Sequence, residues 1–274
     1  MSLLEAIVLG IVQGLTEFLP ISSSGHLRIV PAFLGWDDPG AAFTAVIQLG
    51  TMAAVVLYFR DDLLRIARAW LGSLRNAEQR KELDARVGWY LILGTIPICV
   101  FGLAFTDQIE NGARDLYLIG TTLIVFGLIL LAAERFSRRE RDVSTLTRRD
   151  AIIVGLAQAL ALIPGVSRSG ATITAGLFLG FDRVSAARFS FLLSIPAVVL
   201  SGLYELEDVV SGTAEGSAGL APTAVATVLA FISGYLSIAL LLRYLTTHST
   251  AIFVVYRVML GAGVLVLVGA GTIA

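Results

Sequence analysis

Charged residues are scarce in this sequence. Only 15% of its 274 residues are Asp, Glu, Lys or Arg, and 56% are hydrophobic. Soluble globular domains have a charged fraction of about one quarter. The mean hydropathy of +0.83 also lies well on the apolar side. This composition excludes an ordinary water-soluble domain and indicates that lipid surrounds most of the chain.

Cysteine is nearly absent, since Cys99 is the single residue of its type. One cysteine excludes an intrachain disulfide, and its position in an apolar segment favours a small buried side chain. No Lys or Arg precedes Arg28, and no small-residue cleavage site follows a short apolar core. The first segment therefore does not resemble a removable signal peptide, and we expect it to belong to the mature fold.

Long apolar runs are what the sequence has in abundance. Six of them have the length and hydrophobicity of a membrane-spanning helix: 41–59, 89–106, 116–133, 186–204, 221–242 and 251–270. Two other apolar regions, 3–34 and 151–181, are interrupted in the middle by Pro, Ser and Gly. Non-helical backbone is tolerated at membrane depth only inside protein or beside water. We therefore predict that each region is a re-entrant helix–loop–helix hairpin.

The basic residues are clustered in two connections. Connection 60–86 carries seven Lys or Arg and connection 135–149 carries six, whereas connections 107–115 and 205–220 together hold one, Arg114. If both hairpins are re-entrant, the two basic connections lie on the same side, which the positive-inside rule makes cytoplasmic. Both termini are then predicted to face outward, with the first hairpin entering from outside and the second from the cytoplasm.

The two interrupted regions resemble each other. GIVQGLTEFLPISSSG at 10–25 and GLAQALALIPGVSRSG at 155–170 align without gaps and share six identities in sixteen positions. Each region is followed by three predicted spans, and an odd number of spans inverts the second copy. We predict an all-α membrane fold with a first repeat at 1–134, a cytoplasmic linker at 135–150 and an inverted second repeat at 151–274. The two breaks should meet near the centre of the protein.

Polar residues crowd into these breaks. The first, EFLPISSSGH, contains Glu17, Ser23 and His26, and the second, PGVSRSGAT, contains Arg168. Ionisable groups inside a membrane are costly and are functional candidates by default, and Arg168 is the expected partner of Glu17. Glycine and serine at a helix start let N–H groups converge on an anion, and an arginine fork binds phosphate. The candidate phosphate contacts are Gln13, Ser22, Ser24, Gly25, Ser167, Ser169, Gly170 and Thr172.

The residues leave the catalytic roles open. Ser23 or His26 could be the nucleophile of a phosphoryl transfer, and Glu17 could orient it, act as its base or hold a metal ion. If Glu17 and Ser23 lie on opposite sides of the loop, they face each other across a bound phosphate. Ser22 and Ser24 are equally good candidates for helix capping, and Gln13 could bridge two helices instead of touching substrate.

The motifs GLTEFLPISSSGH and PGVSRSGATI, together with the segment FSFLLSIP, closely resemble the bacterial undecaprenyl-diphosphate phosphatases of the bacitracin-resistance type. This resemblance covers nearly the whole chain. It implies hydrolysis of undecaprenyl diphosphate to the monophosphate and inorganic phosphate, which recycles the lipid carrier of peptidoglycan synthesis. It also implies a bacterial plasma-membrane location, an active site open to the outer face, dependence on Mg²⁺ or Ca²⁺, and often a homodimer.

The resemblance also implies residue roles. The functional glutamate, serine and histidine of the family's first motif fall on Glu17, Ser23 and His26, and the arginine of the second motif falls on Arg168. Some members carry glutamate where this sequence has Gln13, which weakens a metal-ligand role at that position. The expected partners are the diphosphate lipid and membrane lipids, with bacitracin as a competitor for the same lipid. No nucleic-acid partner is expected.

A lipid transporter is the alternative class of function. Inverted repeats with broken helices at mid-membrane are the architecture of alternating-access carriers. A carrier of polyprenyl phosphate would need the anion-binding Arg168 but no nucleophile, so Ser23 and His26 favour the enzyme. A combined phosphatase and flippase fits the same features, because a fold shared with transporters does not decide function.

Overall fold

The protein is built from α-helices. The computed structural model describes residues 1–105, 115–210 and 219–273, and within these ranges eleven α-helices and no β-strand are present. The helices are α1 Leu3–Phe18, α2 Ser23–Leu34, α3 Gly40–Tyr58, α4 Arg60–Arg75, α5 Leu83–Ala104, α6 Leu116–Phe136, α7 Arg148–Ala159, α8 Arg168–Phe178, α9 Arg183–Val210, α10 Leu220–Leu245 and α11 Ala251–Gly269. Most of the two predicted outer connections, including Arg114, lies outside the described residues.

Five helices, α5, α6, α9, α10 and α11, are long and apolar enough to cross a membrane. A sixth span results if the pair α3 and α4, which is bent by 75°, is counted as one. Five of the six predicted spans are thereby found, although α5 begins at Leu83 rather than at 89. The chain is a multi-pass membrane protein.

Helix α4 was not predicted, because 60–86 was treated only as a basic connection between two spans. Its buried face includes Ile66 and Ser73, and it packs against α5, where a Cβ atom on Gly88 would lie 2.9 Å from the Cβ atom of Trp70. Arg65 of α4 donates to Asp84 of α5 at 2.7 Å, and Asp62 of α4 accepts a hydrogen bond from Arg188 of α9 at 2.5 Å. These contacts fix α4 to the helical bundle, so its arginines do more than set topology.

Both interrupted regions fold as two helices separated by a break. The first break lies between α1 and α2, and the second between α7 and α8 with a short 3₁₀ turn at Leu160–Leu162. The backbone is extended at Leu19 and at Ile163, the residues that precede Pro20 and Pro164. A proline disfavours the helical conformation in the residue before it, which ends each helix at this point. The two halves of each region pack against each other.

Helix pairs from opposite halves of the chain hold the two hairpins. Helix α1 packs on α10 and α7 packs on α5. A Cβ atom on Gly10 would lie 2.4 Å from the Ala226 carbonyl oxygen, and one on Gly155 would lie 2.3 Å from the Gly94 carbonyl oxygen. Gly10 and Gly155 occupy matching positions of the sequence repeat, so the same close approach occurs once in each half.

Helices α6 and α11 form a third close pair and contact both breaks. They approach at Gly120 and Gly261, where a Cβ atom on Gly261 would lie 2.6 Å from the Gly120 carbonyl oxygen. Thr122 of α6 donates to the carbonyl of Pro164 at 2.7 Å, and α11 donates to the carbonyl of Pro20. The α6–α11 pair therefore supports the positions of both loops.

Replacing Gly261 by alanine is expected to destabilise the protein by about 1–3 kcal/mol, because the added methyl group overlaps the Gly120 backbone. Gly263, on the same helix, has no atom within 4 Å of a Cβ built on it. Gly263→Ala is therefore the matched control and should leave the thermal midpoint in detergent nearly unchanged. Equal midpoints for the two variants would contradict a close α6–α11 contact.

Candidate active site

The two breaks meet, as the sequence predicts. Glu17, in the last turn of α1, forms an ion pair with Arg168, the first residue of α8, and both side chains are largely shielded from solvent. The Ser169 hydroxyl donates to the Leu19 carbonyl of the first break at 2.9 Å. The predicted pairing of Glu17 with Arg168 is confirmed, and residues separated by about half of the chain form one site.

The two breaks end in the same capping structure. Ser22 accepts a hydrogen bond from the Gly25 N–H at 3.3 Å, and Ser167 accepts one from the Gly170 N–H at 3.1 Å. Their φ angles are 76° and 72°, a sparsely populated region that costs about 1–3 kcal/mol per non-glycine residue. Such strain concentrates at functional sites. Ser22 therefore caps α2, which was one of its two predicted roles.

Two helix N-termini are brought to this site. The first N–H groups of α2 and α8 have no partner within their own helices, and the dipole of each helix adds a partial positive charge there. Ser24 and Ser169 lie in these first turns, 3.3 Å and 3.2 Å from the capping hydroxyls of Ser22 and Ser167. Together with Arg168, the two N-termini make the region suitable for a phosphate group.

Glu17 and Ser23 are in direct contact. The Ser23 hydroxyl donates to Glu17 Oε2 at 2.6 Å, and the Gln13 amide donates to the same oxygen at 3.1 Å. The condition under which Glu17 and Ser23 would face each other across a phosphate, that they lie on opposite sides of the loop, is not met in this structure, because one hydrogen bond joins them. A hydroxyl that donates to a carboxylate is the arrangement of a nucleophile and its base.

His26 lies apart from this contact. Its Nδ1 is 2.6 Å from the Ser22 carbonyl oxygen and its Nε2 is 2.6 Å from the Tyr256 hydroxyl oxygen, with the two rings stacked. A carbonyl oxygen only accepts, so Nδ1 carries a proton, and in the neutral form of the ring Nε2 accepts the Tyr256 proton. Both ring nitrogens of His26 therefore have hydrogen-bond partners, neither of which is a carboxylate. The partner of the Ser23 hydroxyl is a carboxylate, which can act as its base.

The remaining predicted contacts have different surroundings. Thr172 is buried, and its hydroxyl is 2.8 Å from the Arg168 carbonyl oxygen and 2.5 Å from the Ser190 hydroxyl. It therefore braces α8 against α9.

A small cavity between α3 and α9 reaches the Glu17–Arg168 ion pair. Its lining residues are Glu17, Phe18, Thr51, Met52, Val55, Arg168, Ser194, Ile195 and Val198. The sequence did not single out Thr51 or Ser194.

The donor atoms near Glu17 fit a divalent cation that is shared with a phosphate. Among the described residues no group of three or more His, Cys, Asp or Glu side chains is placed to hold a metal ion. Mg²⁺ is commonly held by one or two carboxylates together with substrate phosphate oxygens. Glu17 supplies a carboxylate, and the buried carbonyl oxygen Oε1 of the adjacent Gln13 has no hydrogen-bond partner within the described ranges. Gln13 is therefore better suited to a ligand role than the sequence suggested.

Two site residues were missed by the sequence reasoning. Tyr256 and Arg257 lie in the middle of α11, within the apolar run 251–270. That run was assigned as a plain membrane span. A charged residue inside such a span is by default a functional candidate, so the signal was present in the sequence.

The fold is that of a multi-pass membrane protein, and Glu17, Ser23 and Arg168 lie in contact between its two broken regions. The chain belongs to the bacitracin resistance protein BacA family, whose model matches residues 6–263. An undecaprenyl-diphosphatase of Nocardioides sp. is 58% identical over 271 residues, which cover 99% of this chain and 98% of that protein. Undecaprenyl-diphosphatases of Mycolicibacterium smegmatis and Thermobifida fusca are 56% and 55% identical over 100% of this chain and 99% and 92% of their own lengths.

Proposed function

We propose that this chain hydrolyses undecaprenyl diphosphate to undecaprenyl phosphate and inorganic phosphate. This reaction recycles the lipid carrier of cell-wall synthesis and confers resistance to bacitracin, which competes for the same diphosphate lipid. The observation that carries the proposal is the contact of Ser23, Glu17 and Arg168 across the two breaks, in a chain that matches its family over residues 6–263.

Substrate binding is proposed to rearrange the ion pair. Arg168 pairs with Glu17 in this structure, and a phosphate group competes for the same guanidinium. The diphosphate, held also by the N-termini of α2 and α8, draws Arg168 toward its oxygens. Glu17 then keeps the hydrogen bonds from Ser23 and Gln13 and becomes available as a base.

The chemical step is proposed to use Ser23 as the nucleophile. Its oxygen attacks the terminal phosphorus, its proton passes to Glu17, and the bond from that phosphorus to the bridging oxygen breaks to release undecaprenyl phosphate. Water then hydrolyses the phosphoserine to inorganic phosphate and restores Ser23, with Glu17 again handling the proton. Arg168 stabilises the charge on the phosphoryl oxygens in both steps. His26 is the alternative nucleophile, and the two are distinguished experimentally below.

A divalent cation, Mg²⁺ or Ca²⁺, is proposed as the cofactor. Glu17 and the unpartnered Oε1 of Gln13 are the protein atoms that would hold it. A bound cation neutralises charge on the diphosphate oxygens.

The re-entrant, inverted topology is proposed on the same basis. Matching caps at Ser22 and Ser167 support two related halves, at 1–134 and 151–274. Arg86 donates to the Leu146 carbonyl at 2.6 Å, which joins the two basic connections. The positive-inside rule makes that side cytoplasmic, so both termini face outward. The resemblance to the family implies, in addition, that the site opens to the outer face of the bacterial plasma membrane.

Cysteine labelling tests this orientation. In a Cys99→Ser background, Ser2→Cys should react with an impermeant maleimide in intact cells, whereas Arg138→Cys should react only after permeabilisation. The reverse pattern would contradict the proposed orientation without affecting the proposed reaction.

Phosphate release from undecaprenyl diphosphate by detergent-purified protein tests the function. We expect release that EDTA abolishes and that Mg²⁺ or Ca²⁺ restores. Folded protein that binds the lipid but releases no phosphate under any of these conditions would contradict the phosphatase and favour a lipid carrier.

A further inference from the structure

Arg257 is a fully buried arginine in the middle of α11, with 0% of its surface exposed. In the part of the chain that the structure describes, no carboxylate pairs with it. Its guanidinium instead donates to five backbone carbonyls: Pro20 at 3.2 Å, Thr122 at 3.4 Å, Leu123 at 3.2 Å, Gly165 at 3.1 Å and Val166 at 3.0 Å. These acceptors come from the first break, α6 and the second break.

Packing alone does not account for this residue. Burying a charge without a counter-ion is costly, and buried ionic groups are often replaced by apolar residues with no loss of stability. A leucine or methionine in its place would avoid the buried charge but would donate no hydrogen bond to these five carbonyls. The feature that only an arginine supplies is a rigid planar fork that reaches several acceptors at once.

We propose that Arg257 is a positioning residue for phosphate release, which holds the Glu17–Ser23 pair of the first break in register with Arg168 of the second. This inference rests on the proposed phosphatase function. The guanidinium joins Pro20, two residues before the cap of α2, to Gly165 and Val166, which directly precede the cap of α8.

The backbone geometry shows how this register affects the site. In a trans peptide the N–H points opposite to the C=O, and the described residues contain no cis peptide. The Val166 carbonyl faces Arg257, so the Ser167 N–H is turned to the other side of the loop, away from the guanidinium. Gly170 lies against the same group, since a Cβ atom there would be 2.8 Å from Arg257 Nη1. Arg257 therefore orients the start of α8, from which Arg168 projects.

A positioning role and a merely structural role predict different kinetics. Loss of fold lowers the number of competent sites, whereas loss of register lowers the turnover of each site that remains. A shift of about 1 Å between reacting groups is expected to cost about 10²-fold in rate. Binding of the diphosphate also uses Arg168 and the start of α8, but a contact to phosphate tolerates a small shift better than the attack on phosphorus does, so KM should change by no more than about threefold.

The experiment compares wild type with Arg257→Lys and Arg257→Gln. Competent sites are counted by titration with a non-hydrolysable polyprenyl methylenediphosphonate, and kcat and KM for undecaprenyl diphosphate are expressed per site. We expect wild-type stoichiometry and KM within about threefold, with kcat per site lower by about 10²-fold in both variants. Lysine keeps the charge but cannot span the five carbonyls, so it should not rescue turnover.

A kcat per site within about threefold of wild type, in either variant, would overturn the proposal. A loss of total activity that is explained fully by fewer competent sites would overturn it too.

Thr122→Val provides a second test if the Arg257 variants do not fold. It removes the hydrogen bond to Pro164 at 2.7 Å without altering charge, and it should lower kcat per site severalfold; unchanged turnover would count against positioning by the α6–α11 pair. Wild-type protein that releases no phosphate would instead reject the phosphatase function itself.

Discussion

Arg168→Ala is expected to lower kcat/KM for undecaprenyl diphosphate by about 10³-fold or more, the range found when a phosphate-stabilising arginine is removed. Arg168 pairs with Glu17 across the two breaks. Its removal deletes both the bidentate contact to the phosphoryl oxygens and the partner that holds the carboxylate. Arg168→Lys should recover only part of the loss, because an ammonium group lacks the planar fork. Phosphate release by purified protein measures both effects.

Arg188→Ala is the matched control. Arg188 also forms an ion pair between helices, with Asp62 at 2.5 Å, and within the described part of the chain it has no hydrogen bond to either break. We expect this variant to retain activity within a few fold of wild type even if its thermal midpoint falls. Arg168→Ala protein that is folded and active would remove Arg168 from the mechanism.

Ser23→Ala is expected to cause a comparable loss, on the order of 10³-fold, because it removes the proposed nucleophile. The Ser23 hydroxyl is held at 2.6 Å from the base, Glu17. Ser237→Ala is the control, since Ser237 is a buried serine of α10 whose hydroxyl contacts the α1 backbone at Leu15. Its phosphate release should match that of wild type.

Trapping the intermediate separates Ser23 from His26. Substrate labelled in its terminal phosphate is mixed with enzyme and quenched in either acid or base. A phosphoserine survives acid and is lost in base, whereas a phosphohistidine is lost in acid. Acid-stable label that is absent from Ser23→Ala would support the serine mechanism; acid-labile label that is retained in Ser23→Ala would assign the nucleophile to His26.

The sequence predicted the helical class, most spans and the meeting of the two breaks, because each has a local cause. Membrane spans follow from the length of apolar runs. Helix α1 ends just before Pro20, and the 3₁₀ turn that follows α7 ends just before Pro164, because each proline favours an extended residue in front of it. The identities between 10–25 and 155–170 predicted that the two breaks meet, and their opposite charges then made Glu17 and Arg168 the expected ion pair.

The parts that sequence reasoning missed depend on contacts between distant residues. The choice between Ser23 and His26 could not be made from a motif that contains both. Their surroundings differ only in three dimensions, since Tyr256 comes from the last helix and occupies His26 Nε2 at 2.6 Å. Helix α4 was missed for a related reason: its arginines look like a solvated connection until Asp62 and Arg188 are brought together.

Arg257 shows a different kind of omission. A charge within the apolar run 251–270 was visible in the sequence, but no acidic partner could be named for it. Its partners are backbone carbonyls of both breaks, and backbone acceptors leave no pattern of residue types. A buried cation that binds carbonyls is therefore found from structure, while an ion pair such as Glu17–Arg168 can be predicted from two charged residues.

The central claim is that the two breaks form one phosphatase site, and a double-mutant cycle on phosphate release tests it most directly. Glu17→Gln and Arg168→Ala are compared singly and together, with folded protein confirmed for each. Because the two residues act as a unit, the double variant should be no more than about threefold slower than the slower single variant. Losses that multiply in the double variant would show that Glu17 and Arg168 act independently and would contradict a single site.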